Sequence, residues 1–254
     1  MVKNKLVMLS LGIVFLAASC TKKGNTGLAG PAGPAGPSGV SFTGAINGHV
    51  SLYDMYGTKQ NTGLDAVQLM LKGGATATAD QNGYYFFGNV STGTYFLSAA
   101  TTGYGATMIP NIEFLSDTMN QDIKLSAIPN FNPTALSATY NHGSAFDSVV
   151  ITVTPDTKPR NLILFVNNKM PVNNFPANYL LAYVKAITTW QTNVVIRVPA
   201  SDLNGVNIFY GEMVYYAAYS YVTNDVSAYE DPSTGRNVYT AVGAAPLVDS
   251  AMSP

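Results

Sequence analysis

A two-residue apolar period runs through most of this chain. Val67, Leu69 and Leu71 alternate with Gln68, Met70 and Lys72. Val149, Ile151 and Val153 repeat the pattern, as do Leu162, Leu164 and Val166, then Val194, Ile196 and Val198. Tyr215, Ala217, Tyr219 and Tyr221 fall on one side of a further long strand. Successive side chains of a strand point to opposite faces, so this period builds half-buried strands and not amphipathic helices. Asp80-Gln81-Asn82-Gly83 reads as a tight hairpin turn, its Asn-Gly supplying the positive φ such a turn needs, and Ser91-Thr92-Gly93 reads as another. Between and after them, Tyr84 to Phe87 and Thr94 to Ala99 read as strands. Short strands separated by glycine-marked turns predict an all-β chain of β-sandwiches.

Two sandwich units are expected, at 44–128 and 132–254. Pro129-Asn130-Phe131-Asn132-Pro133 reads as the linker between them, because proline opposes continued ladder pairing. In the second unit Leu180, Leu181, Val184 and Ile187 have helical spacing, yet the β-branched and aromatic content of 179–187 suits a strand. Val238 to Val242 reads as the last strand.

Composition narrows the function. Only 11% of the 254 residues are charged, and 13 basic side chains against 14 acidic ones give a net charge of −1. A nucleic-acid binder needs a cationic face to neutralise phosphates, so that partner class is set aside. One cysteine and two histidines cannot build a disulfide framework or a structural zinc site. No Gly-x-Ser-x-Gly elbow, P-loop or dinucleotide fingerprint occurs. Composition leaves a paired-carboxylate glycosidase open, but small sandwiches seldom supply the cleft. The expectation is a non-enzyme without cofactor or metal.

The first residues form an address. Lys3 and Lys5 precede an apolar run from Leu6 to Phe15, too short for a comfortable membrane span, and small residues follow up to Cys20. Leu16-Ala17-Ala18-Ser19-Cys20 resembles the lipobox of bacterial lipoproteins, with the leucine four residues before the cysteine instead of the usual three. The resemblance implies a signal peptide over 1–19, lipid attachment at Cys20 and an outer-membrane location. Each buried methylene adds about 0.8 kcal/mol, and more than one chain gives stable anchoring. In enterobacterial lipoproteins an aspartate after the cysteine directs retention in the inner membrane, and here Thr21 stands there. Lys22 and Lys23 stand where surface-exported lipoproteins of the Bacteroidota carry acidic residues, so the membrane face stays open. Glycine then recurs every third residue from Gly24 to Gly39, the Gly-X-Y pattern of collagen. Residues 20–43 are read as the lipidated cysteine and a polyproline-II spacer reaching at most about 50 Å. Short Gly-Pro-Ala stalks of this kind resemble those of many Bacteroidota lipoproteins. A trimerising triple helix is the other reading, so the oligomeric state is open.

The first unit carries a second resemblance. Gly48-His49-Val50, Gly63, Ala66-Val67-Gln68-Leu69, Asp80-Gln81-Asn82-Gly83-Tyr84-Tyr85-Phe86 and Gly93-Thr94-Tyr95 are similar to the carboxypeptidase regulatory-like family. That resemblance implies a transthyretin-like seven-stranded sandwich, in which these glycines and aromatics are structural. It implies no peptidase: Val-Ser-Leu follows His49 and Gly-Ser-Ala follows His142, so neither opens a His-x-x-Glu zinc motif. The second unit, with its strand count and tyrosine-rich strand, resembles an immunoglobulin or fibronectin type III sandwich.

Trp190, within Thr188-Thr189-Trp190-Gln191-Thr192, is the single tryptophan. It has two readings: a core ring between sheets, as in many sandwiches, or an exposed ring that stacks on a sugar, which its polar flanks suit. The tyrosines at 215–221 read as core and cross-strand pairing. Asp225, Glu230 and Asp231 lack the dense alternation of a calcium loop and read as a solvated loop. Asp117-Thr118-Met119, Asp147-Ser148-Val149 and Asp249-Ser250-Ala251 resemble short O-glycosylation sequons of the Bacteroidota. The expected function is a non-catalytic, lipid-anchored cell-envelope protein presenting β-sandwiches for adhesion, binding or envelope assembly. The alternative is a glycan-binding accessory of a polysaccharide-uptake system. Its partners would be the membrane, through the anchor, and an envelope protein or a glycan.

Overall fold

The computed structural model describes residues 42–115, 117–140, 145–244 and 246–254. The signal peptide, Cys20, the Gly-X-Y run and His142 lie outside the described residues. The fold is all-β, as the alternation predicts. Among the described residues no helix is long and apolar enough to cross a membrane.

The first part of the chain forms β1 (Thr43–Tyr53), β2 (Lys59–Gln60), β3 (Gln68–Leu71), β4 (Ala75–Thr78) and β5 (Tyr84–Ser91). These are followed by β6 (Gly93–Ala100), β7 (Thr107–Phe114), β8 (Thr118–Asn120) and β9 (Ile123–Ser126). β1 is the spine of one sheet. It pairs antiparallel with β5 and β2, and parallel with β8 and β9. The facing sheet runs β4-β3-β6-β7. Between them lie Ile46, Val50 and Leu52 of β1, Leu69 and Leu71 of β3, Tyr85 and Phe87 of β5, and Leu97, Phe114, Ile123 and Leu125. Each strand contributes every second residue, as a sandwich core requires.

The expected hairpin at 80–83 has a different job. Asp80 Oδ1 accepts the N–H groups of Asn82 and Tyr84, and Gly83 takes φ 82°. The strands it joins belong to opposite sheets, so the turn is a corner between layers. Gly48 is required for a different reason. A Cβ there would sit 2.2 Å from the Gln121 carbonyl oxygen, which also accepts the Tyr85 hydroxyl. The backbone passes too close for any side chain.

The second part forms β10 (Pro133–Thr139), β11 (Phe146–Val153), β12 (Arg160–Asn167), β13 (Leu181–Ile187) and β14 (Asn193–Pro199). A short helix α1 (Ala200–Gly205) leads to β15 (Met213–Tyr221), β16 (Tyr229–Asp231), β17 (Arg236–Val238) and β18 (Leu247–Met252). One sheet is β10-β11-β14 and the other β13-β12-β15-β18. With the β16–β17 hairpin set aside, this is a three-on-four sandwich whose fourth strand joins the second sheet, the fibronectin type III arrangement. Residues 179–187 resolve in favour of a strand. Val238–Val242 is not the last strand: β17 ends at Val238, and Leu247–Met252 pairs with β15 instead.

The alternating sets at 149–153, 162–166 and 194–198 meet in the core, with Val214, Tyr216 and Ala218. The second sheet is buried on its other face too. Ile163, Phe165, Ala217, Tyr219 and Tyr221 are covered by Val172, Tyr179, Ala241 and Val242. Arg236 pins this cover, its guanidinium donating to the carbonyls of Pro176 at 2.9 Å and Tyr179 at 2.6 Å. The tyrosines of β15 are therefore core residues on two faces.

Residues 41–254 cluster as one unit, and the two sandwiches touch within it. Met55 of the first packs into the covered face of the second, and its carbonyl accepts the Thr223 N–H at 3.1 Å. The Ser126 hydroxyl donates to the Asn224 carbonyl and accepts from Val226 N–H. Lys158 Nζ lies 4.5 Å over the Tyr56 ring.

Candidate functional site

The turn between β13 and β14 carries Trp190. Its backbone takes φ +63°, the left-handed region, which costs an L-residue other than glycine or asparagine about 1–2 kcal/mol. Such a conformation persists only where surrounding bonds over-determine it. Here they do. The Trp190 N–H donates to the Asp156 carbonyl at 2.8 Å. The Gln191 side chain accepts from the Thr188 N–H at 3.0 Å and hydroxyl at 3.1 Å, and donates to the Asn193 carbonyl at 2.7 Å.

The loop that receives this bond is itself stapled. Arg160 is buried, donates to the Thr154 carbonyl at 2.5 Å and lies 4.3 Å over the Phe131 ring. It forms an ion pair with Asp156 at 3.6 Å. The backbone N–H of Lys158 holds the Asp156 carboxyl below the usual carboxylate range, with Thr157 and Arg160 assisting. A buried cation thus fixes the loop, the loop fixes the turn, and the turn fixes the indole.

That indole is 69% exposed, which overturns the core reading of Trp190. Its neighbours along the turn are Thr188, Thr189 and Gln191, hydroxyl and amide side chains, and the facing loop holds Asp156, Thr157 and Lys158. An exposed aromatic face on a polar turn suits a ligand with an apolar face and hydroxyl edges. A surface hollow lies elsewhere, between Leu52, Gly63, Gln68, Thr101 and Tyr104 of the first sandwich. Trp190 stands in the open on its turn.

The other candidates fall as follows. Cys20 lies outside the described residues. Asp225 and Asp231 serve their own turns: Asp225 Oδ1 accepts from Ser227 and Ala228, and Asp231 Oδ1 from Ser233. Of the sequon residues, Thr118 is exposed on β8, whereas Asp147 is fully buried in β11, so that sequon offers an enzyme no access to its acidic residue. Asp249 accepts the Ala138 N–H at 2.8 Å and so ties β18 to β10. Sequence reasoning missed the exposure of Tyr84 and Phe86 on β5. The signal was four consecutive aromatics at 84–87, of which a one-faced core can take only two.

No family model matches the chain, and no curated protein matches it. Solved structures do resemble it. A candidate carbohydrate binding protein of Bacteroides uniformis is 14% identical over 81% of this chain and 98% of its own, with a TM-score of 0.31. A DUF3823 family protein of Parabacteroides merdae is 13% identical over 80% of this chain and 98% of its own, with a TM-score of 0.29. A chain of a cohesin–X-dockerin complex of Acetivibrio cellulolyticus is 19% identical over 33% of this chain and 58% of its own, with a TM-score of 0.28. At these scores the likenesses carry no argument about ligands. The carboxypeptidase regulatory-like similarity remains one of residues.

Proposed function

We propose that the chain is a non-catalytic, lipid-anchored outer-membrane protein that presents its β-sandwiches for binding, and that Trp190 is a carbohydrate contact. One observation carries the ligand class: the only tryptophan is held, against backbone strain, on a stapled turn with most of its ring in water. A ring wanted only for packing would be buried. The apolar C–H face of a pyranose fits an indole face, and its hydroxyls suit a polar turn. The anchor reading is supported by Cys20 at the end of the apolar run and by the Gly-Pro-Ala spacer after it.

Because Trp190 is the single tryptophan, its fluorescence reports on this site alone. Titration with soluble xylan, galactomannan, mixed-linkage β-glucan and pullulan is expected to give a saturable change with at least one of them. In affinity gel electrophoresis, which needs no tryptophan signal, Trp190→Ala is expected to weaken that binding about 10-fold or more, roughly 1.4 kcal/mol. An unchanged spectrum with all four polysaccharides would sink Trp190 as a glycan contact. The anchor has its own test. Labelled palmitate is expected to enter the native chain and not Cys20→Ala; label retained by the variant would refute it.

A further inference from the structure

We propose a second carbohydrate site, on the outer face of the β5-β1-β8 sheet, built from Tyr84, Phe86, Asn47, His49 and Asn120. In the Asp-x-x-Gly-x-Tyr-x-Phe pattern of this segment, Tyr85 and Phe87 are the structural aromatics, and both are buried. Tyr84 and Phe86 fall on the free positions and face water, 38% and 53% exposed. The core does not account for them.

The register assembles them into rows. Phe86 pairs with Asn47, and Asn47 with Asn120, so one row crosses three strands. Tyr84 pairs with His49 in the next row. Strands lie about 4.8 Å apart and alternate residues about 7 Å, so the platform measures about 10 Å by 7 Å. The Phe86 ring leans over Gly88: a Cβ built on that glycine would come within 2.9 Å of Phe86 Cε1. The glycine thus leaves room for the ring to settle on the sheet. The His49 ring leans on Tyr84, with centroids 5.5 Å apart.

The polar part is equally ordered. Asn120 Nδ2 donates to Asn47 Oδ1 at 3.2 Å, a bond that uses neither the Asn120 carbonyl nor the Asn47 NH2 as partner. Asp122 Oδ1 accepts the His49 N–H at 2.8 Å, fixing the β1 backbone beside the platform. Two rings, two amides and an imidazole make a face with no lysine or arginine in it. Beside it the same sheet carries a carboxylate, Asp122, and a cation, Lys124 opposite Ser51, so no net charge favours an anionic polymer, whereas a neutral polysaccharide finds stacking surface and amide hydrogen bonds together. The ligand assigned is a neutral glycan chain lying across the strands.

The site is independent of Trp190, and the test separates them. Affinity gel electrophoresis of the full chain would use the same four polysaccharides, with sedimentation of each variant. Trp190→Ala is expected to retain binding to at least one of them. Adding Phe86→Ala or Tyr84→Ala to it is expected to weaken that residual binding 10-fold or more, with thermal melts unchanged because both rings are exposed. Asn47→Ala is expected to weaken it several-fold. Residual binding that ignores all three substitutions overturns the proposal, as does a wild type that no polysaccharide retards. A dimer that Phe86→Ala dissociates also overturns it, since the face would then be an interface between copies.

Discussion

Phe165→Ala is expected to lower unfolding stability by about 3–5 kcal/mol, the range for emptying a fully buried phenylalanine site. Phe165 has no exposed surface, and its ring packs at 5.1 Å from Tyr179, 5.6 Å from Tyr219 and 5.5 Å from Tyr239. Three rings meeting one ring cannot collapse into the gap, because each is held elsewhere. Tyr179 donates to the Asn237 carbonyl at 2.5 Å, Tyr219 sits on a central strand, and Tyr239 packs edge-on to Tyr221. The cavity therefore stays open, and its lining loses contacts outright. Urea denaturation measures the loss as a shift in midpoint at constant slope. A loss under about 1 kcal/mol would mean that the covering segment is not packed on the sheet.

Tyr216→Phe is expected to cost about 2–3 kcal/mol at neutral pH, the value of a hydrogen bond to a buried charge, and much less in acid. The Tyr216 hydroxyl donates to Asp147 Oδ2 at 2.5 Å, both residues have no exposed surface, and Asp147 Oδ1 has no hydrogen-bond partner among the described residues. Burial raises the Asp147 carboxyl above its ordinary value, and the tyrosine hydroxyl pulls it part of the way back. The tyrosine is raised by burial first and then by Asp147, so it stays a donor across the accessible range. A carboxyl that binds its proton more tightly in the folded state contributes stability below its unfolded pKa, near 4, and loses that contribution as pH rises through the folded value. Removing the hydroxyl raises the folded value further and widens that window. The difference between wild type and Tyr216→Phe should therefore shrink as pH falls toward 4, and Asp147→Asn should flatten its dependence on pH. A cost that is the same at pH 4 and pH 7, measured by urea denaturation, would show that Asp147 is not the group being served.

These residues also mark how far the sequence could be read. The inward sets of β11 and β14 were legible because each strand buries one clear alternating face. The second face of β12 was not extracted, although the unbroken apolar run Leu162-Ile163-Leu164-Phe165-Val166 carries its signal: a strand that alternates on neither side is covered on both. The corner at Asp80–Gly83 was legible as a turn but not as a change of sheet, because local φ values do not encode which neighbour a strand finds. The end of the fold was misplaced for a related reason. Val238–Val242 is apolar since it covers a sheet, and covering segments have the composition of strands. Trp190 lay beyond periodicity altogether. Its place follows from its own N–H bond to the Asp156 carbonyl, more than thirty residues away in sequence, and from the bond between Thr188 and Gln191 that closes the turn.

β1 is the first strand after the Gly-Pro run and also the spine to which β5, β2, β8 and β9 all pair. Any tension arriving from the upstream chain therefore reaches the fold at its most heavily braced strand. Drawn along its own axis, β1 must slide past neighbours on both edges, so its ladders resist in shear and break together. A tether joined to a peripheral strand would peel open one bond at a time. The order of the strands makes the end that meets the upstream chain the mechanically hardened end.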